Sequence, residues 1–271
     1  AGSPSANPRY IYPLRITFGM RTMTNSERWY RQHDASERWL CYGVKVETTD
    51  LYIRSTVDCS DMAETMVREL RGQIREHAEM QTDFLTAMTP VDEVANAGEI
   101  IQRMYHASRL SGTGPMAAVA GAVAEMVGEA IAETSGEVIV ENGGDIWMKL
   151  SEPALISLYA GRSGFSGRFN LKIQPEQTPL GICSSSGRFG HSFSLGRADL
   201  VTVTSPSAPL ADAVATGACN LVSGEDDLNK AVAYGMSVPG VKGILCIYWD
   251  TMAMQGEIEL APPEQEGHDN S

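Results

Sequence analysis

From Met116 to Glu133 the chain is built almost without large side chains: Ala117, Ala118, Ala120, Gly121, Ala122 and Ala124 follow one another before Glu125. Such a stretch has strong helical propensity, since alanine is the best helix former. A helix this smooth buries little on its own but lets another backbone come close. It is therefore expected to be the central, buried helix of whatever fold the chain adopts. The longest unbroken apolar run, Met116–Ala124, is nine residues. A membrane span needs about 20, so no transmembrane helix is expected.

The segments around this helix alternate without strict strand–helix–strand order. Arg38–Arg54 reads as a β-hairpin turning near Thr48-Thr49-Asp50. Behind Asp58 and Asp61 a helix to about residue 80 carries Met62, Met66, Leu70 and Ile74 at a spacing of four, with Val67 beside them. This stripe reads as core rather than as a cofactor surface. Thr89-Pro90 breaks the chain, and Asp92 is placed to cap a second helix with Ile100, Ile101, Met104 and Tyr105 inward. After the small-residue helix, strands are expected at Val138–Val140, Ile146–Leu150, Ala154–Tyr159 and Arg168–Ile173. A Gly/Ser-rich loop is expected over Gly181–Gly190, with strands at His191–Ser194 and Leu200–Thr204. Ser207, with Pro209 in the first turn, opens a helix to about Val222. Asp226–Tyr234 is a short helix, and Gly243–Trp249 and Met254–Leu260 are strands. The mixture favours α+β over a doubly wound sheet. The expected organisation is a partly irregular arm over 1–39, one domain over 40–260 and an acidic tail over 261–271.

Charge narrows the partners. The net charge of −13 argues against a nucleic-acid surface, which needs clustered Lys and Arg. Residues 1–40 carry six Arg against three acids, whereas 250–271 carry six acids and no Lys or Arg. Both read as solvated ends. The five cysteines, at 41, 59, 183, 219 and 246, form no CxxC or Cys/His cluster. Zinc and iron–sulfur sites lack support, and the odd, widely spaced set suits a reducing compartment, so the expected location is cytoplasmic.

Three clusters carry chemistry. In Ala211-Asp212-Ala213-Val214-Ala215-Thr216 the oxygens of Asp212 and Thr216 stand one helical turn apart among small residues. A buried carboxylate needs compensation. Either a hard cation supplies it, with the hydroxyl and backbone carbonyls completing the shell, or a backbone amide or an Arg does. Asn142-Gly143-Gly144-Asp145 joins two strands. It is a turn, or a turn whose missing side chains bring backbone amides against a ligand. Cys183-Ser184-Ser185-Ser186-Gly187-Arg188, with His191 just beyond, has the small hydroxyls, glycine and arginine of a phosphate-binding loop, and equally of a surface loop. A Ser or Cys nucleophile with His191 as base is a further arrangement, though no third partner is fixed.

Taken in order, these segments resemble the ApbE-like flavin transferases, which move FMN from FAD onto a protein Thr or Ser using magnesium. That family's pattern is a small-residue helix, Asn-x-Gly-Gly-Asp or a similar turn, Ser-Gly followed by a His, and Ala-Asp-Ala-x-x-Thr. Here the corresponding segments are Met116–Glu133, Asn142–Asp145, Ser186–His191 and Ala211–Thr216. The resemblance covers about residues 111–222. It implies an α+β, ApbE-like domain with mixed sheets, and a magnesium ion held by Asp212, Thr216 and a carbonyl near Ala117. It implies FAD or FMN, or another nucleotide, at Asn142, Gly143, Gly144, Asp145, Cys183, Ser184, Ser185, Ser186 and Gly187. Arg188 and His191 would be the catalytic side chains, His191 as a positioning or proton-transfer group.

Two departures matter. The transferases place Lys-Gly before the small helix, and this chain has Gly114-Pro115-Met116. They follow the His with a hydrophobic pair and Asp-Pro, and this chain has Ser192-Phe193-Ser194-Leu195-Gly196. The wording is closer to a branch of the superfamily linked to assimilation of sulfide into homocysteine in anaerobes. The resemblance thus implies a flavin- or nucleotide-binding, magnesium-assisted protein, as a divergent transferase with a protein acceptor. The alternative is a non-catalytic partner in sulfur assimilation, with Cys183 as a sulfur contact or simply a small apolar filler.

Overall fold

The computed structural model describes residues 14–17, 38–187 and 196–262. The large sheet has eight strands, all paired antiparallel, in the order β11-β10-β9-β8-β5-β4-β3-β2. They are β2 (Leu40–Val46), β3 (Thr49–Ser55), β4 (Val138–Asn142), β5 (Asp145–Lys149), β8 (Leu180–Ser185), β9 (Leu200–Ser205), β10 (Gly243–Tyr248) and β11 (Thr251–Gly256). A smaller sheet in the order β1-β6-β7-β12 joins β1 (Leu14–Thr17), β6 (Ala154–Ser157), β7 (Asn170–Ile173) and β12 (Leu260–Ala261). Its β1–β6 pair is parallel, so the mixed pairing expected from the resemblance lies in this sheet. Among the described residues there are five α-helices: α1 (Ser60–Met80), α2 (Glu99–Ser111), α3 (Val119–Ala132), α4 (Ala208–Leu221) and α5 (Leu228–Ser237).

Side-chain alternation along the central strands divides the interior into two cores. Val138, Val140, Trp147, Cys183, Val201, Val203, Ile244 and Cys246 pack into the core that contains the helices. Their neighbours Ile139, Ile146, Met148, Ile182, Leu200, Leu245 and Ile247 pack into the core shared with the small sheet. The large sheet is thus covered on both faces, helices on one and the small sheet on the other. This is why its inner strands read as nearly continuous apolar runs rather than polar–apolar alternation.

Helix α3 is the central helix that its small residues demand. A Cβ at Gly128 would lie 2.3 Å from the Trp147 ring, and one at Gly121 would lie 2.4 Å from the Ala208 carbonyl oxygen. The segment Pro115–Ala132 has mean hydropathy 1.3 over 18 residues, the length and apolarity of a bilayer-crossing helix. Here it is the core element, packed against β4, β5 and α4. Counting only unbroken apolar residues misses this, because Glu125 and Glu129 interrupt the run.

Four local expectations need correction. Gly98, not Asp92, is the N-cap residue of α2, which begins at Glu99. Along α1 the buried stripe is Ala63, Val67, Leu70 and Ile74, while Met62 is exposed and Met66 half-buried. The spacing of four drifts off the core face, since a helix turns in 3.6 residues. Gly181–Ser185 belongs to strand β8 rather than to a loop. The final stretch splits into β11 and β12, which lie in different sheets. His191–Ser194, read as a strand, lies outside the described residues.

Candidate functional site

The candidate site lies where one end of the large sheet meets the first turns of α3 and α4. Asn142 and Asp145 pair across a two-residue turn whose residues Gly143 and Gly144 have φ of 72° and 137°. Both values favour glycine, so this hairpin dictates Gly-Gly. The Asn142 side-chain amide donates to the Ala120 carbonyl oxygen at 3.1 Å, tying the turn to α3. Strand β8 lies beside β5 with Ile146 opposite Ile182, which sets Cys183 beside Asp145. Helix α4 crosses β8 so closely that a Cβ at Gly181 would lie 2.4 Å from the Ala208 Cα. The Cys183 thiol donates to the Ala208 carbonyl oxygen at 3.3 Å.

Asp212, in the second turn of α4, points back at α3. Its Oδ2 accepts the Gly121 N–H at 2.9 Å. A backbone amide therefore satisfies one carboxylate oxygen, as the purely structural alternative expects. The nearby Ser184 amide and Cys183 thiol favour the charged form of Asp145. Its Oδ1, however, is buried without a hydrogen-bond partner, as is Ser185 Oγ. Burial pushes the Asp145 carboxyl up to about 7. Burial, and then the charge of Asp145, hold Asp212 well above the usual carboxylate range. The same surroundings push the Cys183 thiol up, so it is a poor thiolate. A buried and a half-buried carboxylate thus share one corner, with one oxygen of Asp145 left without a partner.

The structure brings Asn142, Asp145, Cys183, Ser185 and Asp212 onto the helix side of the sheet end. Thr216 lies one turn after Asp212 on α4 and is half-buried. Ala117 is half-buried in the short 3-10 turn Pro115–Ala118, which packs against α4. Ser184 differs: its hydroxyl pairs with Thr202 Oγ1 at 2.9 Å on the opposite face of the sheet, leaving only its amide at the cluster. Ser186 is buried, and the Gly187 amide donates to the Ala198 carbonyl at 3.0 Å. A Cβ at Gly187 would lie 1.9 Å from the Gly196 oxygen, so only glycine fits. Arg188 and His191 lie outside the described residues. Sequence reasoning missed Glu125, a buried acid whose Oε2 accepts the Ala208 N–H at 2.6 Å. The signal was a lone carboxylate inside an apolar helix.

The donor set fits a hard cation. It offers carboxylates, hydroxyls and carbonyls, the oxygen ligands that magnesium prefers. Among the described residues no group of three His, Cys, Asp or Glu side chains surrounds one point. A cation here must complete its shell with hydroxyl, carbonyl, water or phosphate oxygens. The unpartnered Asp145 Oδ1 is the observation that such an ion would answer.

A family model described as AbpE bacteria matches residues 31–237, which include every residue of this cluster. The chain belongs to that family. It is 36% identical over 201 residues to the UPF0280 protein MJ1526 of Methanocaldococcus jannaschii, covering 72% of this chain and 82% of the relative. It is 40% identical over 200 residues to a UPF0280 protein of Methanothrix thermoacetophila, covering 73% and 84%. Among solved structures the fold resembles the apo flavinyl transferase ApbE of Pseudomonas stutzeri, with TM-score 0.53 and 12% identity over 80% of this chain and 94% of that one. It also resembles the flavin transferase ApbE of Vibrio cholerae, with TM-score 0.52 and 13% identity over 80% and 96%. The fold of this AbpE-family chain is therefore ApbE-like, as its motif order implies.

Proposed function

We propose that this chain binds a flavin nucleotide, FAD or FMN, with its phosphates at the sheet end and a magnesium ion held by Asp212, Thr216 and the Ala117 carbonyl. One observation carries the reading: the buried Asp145 and the half-buried Asp212 share a corner in which Asp145 Oδ1 has no protein partner. The ApbE-like fold supports the flavin as ligand, since its solved neighbours are flavin transferases. When bound, magnesium would offset the charge of the phosphate oxygens. The side-chain-free turn Gly143-Gly144 leaves room for a ligand beside the backbone, and Ser185 Oγ offers a hydroxyl. Ser184 contributes through its backbone, its hydroxyl being engaged with Thr202. Arg188 is assigned to phosphate, and His191 to positioning or proton transfer.

Transfer of FMN would break the FAD pyrophosphate, join the FMN phosphorus to a Ser or Thr oxygen of an acceptor protein and release AMP. This chain is proposed to perform that step poorly, because Pro115 stands where the transferases have a lysine. The five free cysteines suit a reducing, cytoplasmic setting. The alternative, a non-catalytic partner in sulfur assimilation, would use Cys183 as sulfur contact. Burial of Cys183 and its bond to the Ala208 carbonyl argue for a packing role instead. The test is the absorption spectrum of the purified protein, followed by FAD titration with and without magnesium. A flavin spectrum, or saturable binding tightened by magnesium, supports the reading. A colourless protein that ignores FAD refutes it.

A further inference from the structure

Helices α3 and α4 cap each other. Asp212 of α4 accepts the amide of Gly121, the third residue of α3. Glu125 of α3 accepts the amide of Ala208, the first residue of α4. Each carboxylate thus satisfies an N-terminal amide that has no partner within its own helix. Ser207, the N-cap residue of α4, makes no side-chain cap bond of its own, so Glu125 does that work from another helix. Glu125 is itself fixed: it is 6% exposed, and its Oε1 accepts from Arg103 of α2 at 2.8 Å. Arg103 is anchored in turn on Glu99 and Glu129. Close packing accompanies the double cap, since Gly121 lies directly against Ala208 and the Asp212 Cβ.

We infer that Glu125 is a positioning residue for Asp212: with Arg103 it fixes the start of α4, and so the place at which Asp212 presents its carboxylate. The inference deepens the proposed function, because it takes Asp212 to hold a cation, but the clasp can be read without one. Glu125 acts on the start of α4 through its bond to the Ala208 amide. Glu125→Gln keeps one acceptor oxygen for the Ala208 amide but sets an NH2 group, which can only donate, against Arg103. Glu125→Asp keeps the charge but withdraws it by one methylene.

The experiment measures Mn2+ affinity by calorimetry, and hydrogen exchange of the Gly121 amide by NMR, in wild type and both variants. Groups that orient metal ligands typically change affinity by about 10–100-fold when altered. Glu125→Asp is expected to weaken Mn2+ binding about tenfold and to speed Gly121 exchange about tenfold, while Glu125→Gln, which keeps the Ala208 bond and loses only the Arg103 anchor, changes each by about threefold. Wild-type exchange at Gly121 in Glu125→Asp overturns the clasp. Greater damage in Glu125→Gln than in Glu125→Asp also overturns it, because charge rather than placement would then be at work. A wild-type protein that takes up no Mn2+ defeats the cation reading alone, and Gly121 exchange still decides the clasp. Should Glu125→Asp fail to fold, Arg103→Met replaces it: faster Gly121 exchange supports the clasp and wild-type exchange refutes it.

Discussion

Replacing Gly121 by alanine puts a methyl group into the tightest contact between α3 and α4. Its Cβ would lie 2.4 Å from the Ala208 oxygen, 2.6 Å from the Ala208 carbonyl carbon and 3.0 Å from the Asp212 Cβ. Two of these atoms are backbone, so no flexible side chain can swing aside and the helices must part. Overpacking of this kind costs roughly 1–3 kcal/mol. Parting the helices also lengthens the Gly121–Asp212 bond, and a hydrogen bond to a charged group is worth about 1.5–3 kcal/mol. Better helix propensity returns about 1 kcal/mol, leaving a net loss near ~3 kcal/mol. In a domain of this size each kcal/mol lowers Tm by roughly 2–4 °C, so Gly121→Ala should melt about 6–12 °C below wild type. Gly72→Ala in α1 is the control, because nothing lies within 4 Å of its added Cβ. It should be stabilising by up to about 1 kcal/mol. Paired calorimetric scans decide the matter. A Gly121→Ala protein that melts at or above wild type would refute close approach as the reason for the small-residue helix.

Other expectations follow from the same corner. Without divalent cation, the raised Asp145 carboxyl makes the native state bind more protons than the unfolded chain between its ordinary value, near 4, and about 7. Stability should therefore fall as pH rises through that window, and Asp145→Asn should flatten the slope in urea titrations at a series of pH values. An unchanged slope would remove Asp145 as its source. Mixing the protein with FAD, magnesium and a transferase-family acceptor domain should give little or no covalent FMN adduct by mass spectrometry, since losing one electrostatic group commonly costs about 10²–10³ in rate. Stoichiometric labelling within minutes would make the chain an ordinary transferase. Trp147→Ala should cost about 3–5 kcal/mol in denaturant unfolding, because the indole fills the space left by Gly128; a loss below ~1 kcal/mol would mean the core closes around the gap.

Residues that act through local periodicity were legible. The alanine-rich stretch announced a buried helix, and the Ala-Asp-Ala-x-x-Thr spacing placed Asp212 and Thr216 one turn apart. What escaped depends on partners distant in sequence. Gly181 and the serines after it read as a loop because nothing local says that Ala208 of α4 will press on that strand. Asp92 looked like a cap because its side chain suits one, yet Gly98 holds the position. Glu125 looked like an interruption, since its partner Ala208 is 83 residues away. The motif order places Asp145 at the nucleotide site, but its nearness to Asp212 follows only from the pairing of β5 with β8 and the crossing of α4.

Cation binding tests the account most directly. Calorimetric titration of Mg2+ into the FAD-mixed protein should show one saturable site in wild type. Asp212→Ala should lose that site while keeping the wild-type circular dichroism spectrum, with Asp212→Asn as the isosteric check. Undiminished magnesium binding in both folded variants, or none in wild type, would contradict the assignment of Asp212 as the residue that holds the ion.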